Sequence, residues 1–234
     1  MNVYFPFHAL GLQCNPFRAL TEEEWGDIAL VPAELLALGA GAPVQILGER
    51  GHGKTSLLMG LAAHERRQGR KAVYEYLGAG QDRFKTSLAG LDTFLLDEAQ
   101  RLNRRERRRL LDEVLTPATA QRLIVGSHED LTRFFARRRL KLATFRLGAG
   151  SAGHLQAVME RRLAYFALPS GSRVTLAPEA VTYLHRRFGG NLRAVEQLLY
   201  EACQQLPGPG EITADCLAGV TLPPGLAPES PAPK

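Results

Sequence analysis

The sequence is poor in cysteine: Cys14, Cys203 and Cys216 are the only three in 234 residues, and none stands in a C-x-x-C spacing. An odd, scattered set of thiols supports neither a disulfide framework nor a zinc site, so a reducing, cytoplasmic compartment is the simplest expectation. A long apolar run is also missing. The least polar stretch, 27–47, is broken by Asp27, Pro32, Glu34 and Pro43, whereas a membrane helix needs ~20 mostly apolar residues. The opening MNVYFPFHALGLQC has no basic region ahead of its apolar residues, and Gln13 before Cys14 is not the small residue of a lipoprotein cleavage site. A soluble, non-secreted chain without a membrane partner is therefore expected. There is no internal repeat, helix-turn-helix, zinc finger or aromatic RNA-binding motif, which leaves only a backbone-directed mode for any nucleic-acid contact.

What is present is enough apolar material, 45% of the chain, for one or two domains. Lys+Arg of 29 against Asp+Glu of 24 gives +5, a surplus that tolerates a polyanionic partner without requiring one. Strand-like and helix-like segments alternate: PVQIL (43–47), a helix over 54–68, AVYEYL (72–77), TFLLD (93–97), a helix over 102–115 stopped by Pro117, QRLIVG (121–126) and ATFRL (143–147). This is the pattern of an α/β fold, a mostly parallel sheet covered on both faces. Between the second and third strands, 81–91 is expected to form a short helix with Phe84, Leu88 and Leu91 inward and Arg83 and Lys85 outward. Beyond Gly150 apolar residues fall at helical spacing, so 149–220 reads as a small all-helical domain, and the five prolines of 221–234 mark a disordered tail.

Directly after the first strand stands Gly48-Glu49-Arg50-Gly51-His52-Gly53-Lys54-Thr55, followed by Ser56, which fits G-x-x-x-x-G-K-[ST] at every fixed position and opens a helix. Glycines let backbone N–H groups turn inward around phosphates, the helix N-terminus adds positive potential, Lys54 reaches the β and γ phosphates, and the Thr55 hydroxyl is placed to ligate Mg²⁺. The third strand ends in Asp97-Glu98. There the first carboxylate is placed to hold Mg²⁺ and the second to polarise an attacking water; after a phosphate loop this reading outweighs a plain helix cap. Ser127, closing the fourth strand, is placed between the first and third strands to orient that water, or is an ordinary turn serine. Six arginines (Arg101, Arg104, Arg105, Arg107, Arg108 and Arg109) crowd the helix after the acidic pair. They serve either to track phosphates or as a solvated face paired with Glu106, Asp112 and Glu113.

These residues in this order resemble the AAA+ ATPases: GERGHGKT as Walker A, FLLDEAQ as Walker B, IVGS as sensor 1 and GGNLRAVEQLL as sensor 2. Within AAA+, Asn15-Pro16-Phe17, DEAQRL, VGSHEDL and GGNLR are most similar to the ExeA/GspA and TnsC/TniB group, near the Orc/Cdc6-like ATPases. The resemblance implies a P-loop sheet of order 5-1-4-3-2 with a C-terminal helical lid, ATP and Mg²⁺ as ligands, and ATP hydrolysis. It further implies assembly into a homo-oligomeric ring or filament. It makes residues 1–41 a segment packing on the nucleotide site, with Phe17 near the adenine or simply in the core. It makes Arg193 the sensor 2 arginine and puts an arginine finger among Arg137, Arg138 and Arg139, of which Arg139 is the choice. The implied function is a transposition-regulator-like switch on duplex DNA, acting with a transposase or other protein; the alternative is an ExeA/GspA-like ATPase that remodels a protein partner without nucleic acid.

Overall fold

The computed structural model describes residues 7–38, 42–114, 122–148, 150–169 and 173–221. Pro117 and nearly all of the expected 221–234 tail lie outside the described residues. The chain divides into two compact units, one made of 20–148 and the other of 1–19 with 149–234. In this division the expected 1–41 segment is shared between the two units.

In the 20–148 unit, Thr21 opens α1 (Glu22–Ile28) with a reciprocal cap: its hydroxyl accepts from the Glu24 amide at 3.2 Å and its amide donates to the Glu24 carboxylate at 2.8 Å. A short α2 (Ala33–Ala37) follows Pro32. The sheet is then built from β1 (Val44–Leu47), β2 (Ala72–Tyr76), β3 (Thr93–Asp97), β4 (Arg122–Ser127) and β5 (Ala143–Arg146), with α3 (Lys54–Arg67), α4 (Arg104–Val114) and α5 (Thr132–Ala136) between them. All five strands are parallel, in the order β2-β3-β4-β1-β5, which is the expected 5-1-4-3-2 order read from the other edge.

Side-chain alternation sorts the core into two layers. Val44, Ile46, Leu95 and Ile124 meet Leu57, Leu58 and Leu61 of α3 on one face, while Phe94, Leu96, Leu123 and Val125 meet Leu110, Leu111 and Phe135 of α4 and α5 on the other. Opposite the strand ends that carry the site, the buried Glu65 accepts from Arg70, from the Thr93 hydroxyl at 3.0 Å and from Arg122 at 2.7 Å. Burial pushes its carboxyl up, but the bonds from Arg70 and Thr93 and the Arg122 charge outweigh that and hold it below the usual range. Residues 78–92 form no helix. Phe84 and Leu88 are buried as expected, but the segment is pinned in extended turns, with the Glu75 carboxylate accepting from the Lys85 and Thr86 amides.

The second unit contains α6 (Ala152–Tyr165), α7 (Pro178–Phe188), α8 (Leu192–Gln205) and α9 (Ala214–Ala218), capped by Ser151, a first-turn proline, Asn191 and Thr213. It is helical but not wholly so: β6 (Thr175–Leu176) pairs in parallel with β7 (Glu211–Ile212). The N-terminal residues are built into it. Arg162, 1% exposed, donates to the carbonyls of Pro16 and Arg18 and pairs with Glu196, and the Asn15 amide donates to the Tyr200 carbonyl at 3.0 Å.

Candidate nucleotide-binding site

Loop 48–53 leaves the C-terminal end of β1, the strand flanked by β4 and β5. Crossovers on either side of β1 depart to opposite faces there, the place where open α/β sheets take their ligands. Gly51 and Gly53 hold φ of 81° and 89°, a region that costs a side chain about 1–2 kcal/mol. They deliver the chain to the N-terminus of α3, whose first amides have no intrahelical partner. Lys54 is 5% exposed and donates Nζ to the carbonyls of Gly48 at 2.9 Å and Glu49 at 2.8 Å. Glu49 and Arg50 are exposed, Ser56 is half-buried in the first turn of α3, and His52 carries a buried Nδ1 with no hydrogen-bond partner. A glycine-shaped loop, a converging lysine and an orphaned ring nitrogen fit a polyphosphate.

One layer over, the Thr55 hydroxyl donates to Asp97 Oδ2 at 2.7 Å, the Tyr74 hydroxyl donates to the same oxygen at 3.2 Å, and the Glu98 amide donates to Oδ1 at 2.9 Å. Asp97 is 1% exposed. Burial pushes its carboxyl above the usual range, and the bonds from Thr55, Glu98 and Tyr74 offset that only in part. Burial and the Asp97 charge likewise push the Tyr74 hydroxyl up. Facing this carboxylate on β4 is Gly126, where a Cβ would stand 2.6 Å from Asp97 Oδ1 and 2.7 Å from Leu58 Cδ1. Among the described residues no three His, Cys, Asp or Glu side chains form a metal cluster. A hydroxyl and one carboxylate suit Mg²⁺, which keeps several waters and takes phosphate oxygens.

Glu98 adopts φ 58° and ψ 37°, left-handed for a residue with a side chain. Its Oε2 accepts from Gln100 Nε2 at 2.7 Å and pairs with Arg101 at 3.2 Å. His128 Nδ1 lies 2.9 Å from the same Gln100 nitrogen, so with the proton on Nε2 of His128 the amide donates to both neighbours. Gln100 Oε1 is buried without a partner. Arg101 also donates to the Leu77 carbonyl and stands over the Tyr76 ring.

Ser127 lies between β1 and β3, opposite Leu47, but its hydroxyl donates to the Glu129 carbonyl at 2.7 Å and accepts from the Glu129 amide at 2.9 Å. That is the turn geometry of the plainer alternative. Arg139, with φ 58°, is exposed in the turn after α5, and Arg138 beside it pairs with Asp112 at 3.0 Å. Phe17 and Arg193 belong to the other unit, Phe17 in its apolar core and Arg193 exposed in the first turn of α8. Sequence reasoning missed Tyr74, Gln100, His128 and Gly126. Their partnerships depend on which strands are neighbours, and no motif encodes that.

No protein-family model and no curated protein matches the sequence. Solved structures do match in shape. Two point variants of RuvB from Thermotoga maritima align with TM-scores of 0.56 and 0.57 at 17% and 16% identity. They cover 76% and 87% of this chain and 60% and 71% of theirs. This chain has the AAA+ fold. AMPPCP-bound DnaA from Aquifex aeolicus aligns more loosely, with a TM-score of 0.46, 18% identity, and 67% of this chain against 54% of that one. The chain thus spans between 54% and 71% of the length of these structures. Within this sheet the phosphate loop and Thr55 follow β1 and Asp97-Glu98 close β3, with β4 between the two strands and the Thr55–Asp97 hydrogen bond joining them.

Proposed function

We propose that the chain is a Mg²⁺-dependent ATPase that assembles with copies of itself on duplex DNA, a nucleotide-driven switch of the TnsC/TniB kind. The observation that carries the reading is the Thr55–Asp97 contact of 2.7 Å beneath a lysine-bearing glycine loop, with Glu98 next in sequence. In it the loop amides and Lys54 bind the triphosphate, and Thr55 and Asp97 hold Mg²⁺, whose chemistry is neutralisation of phosphate charge. Glu98 takes a proton from the attacking water as the water oxygen bonds to the γ phosphorus and the β–γ bridge breaks, releasing ADP and inorganic phosphate. Release from Gln100 and Arg101 frees the carboxylate for that work. Arg139 acts across the subunit boundary as the finger, and Arg193 carries the sensor role implied by the resemblance, while Ser127 stays the turn serine that its bonds to Glu129 make it.

The test is ATP turnover together with particle size, each measured with and without duplex DNA. ATP-dependent assembly and DNA-stimulated turnover are expected, and Lys54→Ala abolishes both by removing nucleotide binding. No turnover and no nucleotide affinity with magnesium present would overturn the reading. Turnover stimulated by a protein partner and indifferent to DNA would favour remodelling of proteins instead.

A further inference from the structure

Helix α4 carries its charge against its own electrostatics. Asn103 caps it, its side chain accepting from the amides of Arg105 and Glu106 at 2.9 Å. Yet Arg104 and Arg105 occupy the first turn, where the helix dipole opposes cations, and Arg104 and Arg108 stack like charges at i,i+4. The structure sorts the six arginines of this run. Arg101 is engaged by Glu98 and Leu77, Arg107 donates to the carbonyls of Leu102 and Gln100 and lies over Phe134, and Arg109 pairs with Glu106 and Glu113 over Phe84. Arg104, Arg105 and Arg108 are exposed and, among the described residues, make no side-chain hydrogen bond or ion pair.

Helix α5 packs alongside on the same face of the sheet, tied to α4 by Arg138–Asp112 at 3.0 Å and by Arg107 over Phe134. It adds the exposed Arg133 and Arg137. Carboxylates on and beside α4 are paired: Glu106 and Glu113 with Arg109, Asp112 with Arg138, and Asp82 with Asn103 and Arg83. The exposed large apolar residues of the described chain, Tyr76 and Tyr165, lie on neither helix. A protein hot spot or a membrane surface wants apolar anchors, whereas an arginine surface without them suits phosphates. With no Asn or Gln among its exposed residues, it also lacks the side chains that read adenine edges.

We infer that the α4–α5 face is the phosphate-backbone contact for duplex DNA, made by Arg104, Arg105 and Arg108 and extended by Arg133 and Arg137. This deepens the DNA reading above and rests on it. Arginines 101, 107 and 109 of the same run are structural.

The experiment is fluorescence anisotropy of a labelled mixed-sequence duplex, titrated with the full chain in ATP and Mg²⁺ at several salt concentrations. The wild type is compared with the triple variants Arg104→Ala/Arg105→Ala/Arg108→Ala and Arg104→Lys/Arg105→Lys/Arg108→Lys. Alanine is the best helix former, so the first variant keeps α4. It is expected to bind at least ~10-fold more weakly, with a salt slope shallower by about 2.7, that is ~0.9 for each of three lost contacts. The lysine variant keeps most of the affinity, since phosphates accept point charges, and both keep DNA-free ATP turnover. If the wild type binds and the alanine variant matches its affinity and slope, this surface is wrong while the DNA reading stands. If the wild type binds no duplex, or binds only a polyglutamate probe, both fall.

Discussion

The Thr55 hydroxyl stands 2.7 Å from Asp97 Oδ2, joining the helix that follows the phosphate loop to the strand one layer away. That carboxylate is buried, and burial holds its pKa above the unfolded value. The folded chain therefore binds this proton more tightly than the unfolded one. The group's favourable contribution is complete below the unfolded carboxyl pKa of ~3.9 and is lost as pH rises through the folded value. At neutral pH the charged carboxylate opposes folding. Asp97→Asn should accordingly raise the melting temperature at pH 7, by about 2–4 °C for each kcal/mol of relief in a chain of this size. Its advantage should shrink toward acid as the wild-type carboxyl takes up its proton. The same variant should lose the stabilisation that ATP with Mg²⁺ gives the wild type. A thermal-shift series over pH, with and without ligand, checks both, and a destabilised variant at neutral pH would refute the first.

In the proposed mechanism Glu98 takes the proton of the attacking water and does not hold the nucleotide, so Glu98→Gln should keep ATP affinity while turnover drops ~10²–10⁴-fold. Assembled particles should then persist in ATP instead of dispersing. Nucleotide titration alongside steady-state turnover separates the two effects. Wild-type turnover in this variant would remove Glu98 from the chemistry and leave its left-handed backbone without a catalytic reason.

Gly126 shows a constraint from close approach. A methyl group there meets Asp97 Oδ1 at 2.6 Å and Leu58 Cδ1 at 2.7 Å, in an all-buried stretch of β4. Gly126→Ala should cost about 1–3 kcal/mol by overpacking. It should also weaken Mg²⁺-dependent nucleotide binding more than Mg²⁺-free binding, because the displaced group is the carboxylate. Denaturant melts and nucleotide titrations with and without the metal measure the two parts. An unchanged magnesium dependence would mean that Leu58, rather than Asp97, gives way.

Local signals carried much of this architecture. β3 falls on Thr93–Asp97 and α3 starts at Lys54, as read from an apolar run and a glycine loop, because both depend on neighbours in sequence. The Thr21/Glu24 capping box was equally local and went unread. Long-range partnerships were another matter. Tyr74 reaches Asp97 because β2 pairs with β3, and His128 reaches Gln100 because β4 pairs with β3; neither pair has a spacing signature. The arginine run after β3 was legible as charge, but division into anchored and free members required seeing what Glu106, Glu113 and the Leu102 carbonyl accept. Residues 78–92 misled for a related reason: apolar spacing suited a helix, while the Glu75 carboxylate claimed two of the amides a helix would need.

Glu98 and Arg139 are the two non-glycine residues with positive φ among the described residues, both at 58°. Arg139 closes the turn after α5: its amide donates to Ala136 at 2.9 Å and the Leu140 amide donates to Phe135 at 3.2 Å. Glycine is the usual occupant of such a position. The guanidinium is exposed and, among the described residues, makes no hydrogen bond or ion pair of its own, so an arginine here carries backbone strain without a local return. Arg139→Gly should therefore gain roughly 0.5–1 kcal/mol, the left-handed cost of ~1–2 less the added entropy of an unfolded glycine. Arg139→Ala, which keeps the strain, should gain nothing. Both should lose turnover while monomers still bind ATP. Mixing Arg139→Ala with Lys54→Ala should restore activity, since one copy then presents an intact ATP site to the other's intact finger. Chemical denaturation, ATP titration and mixed-subunit turnover give the three readouts. A stabilised Arg139→Gly with full turnover would leave the turn geometry intact and end the role of this arginine as the finger.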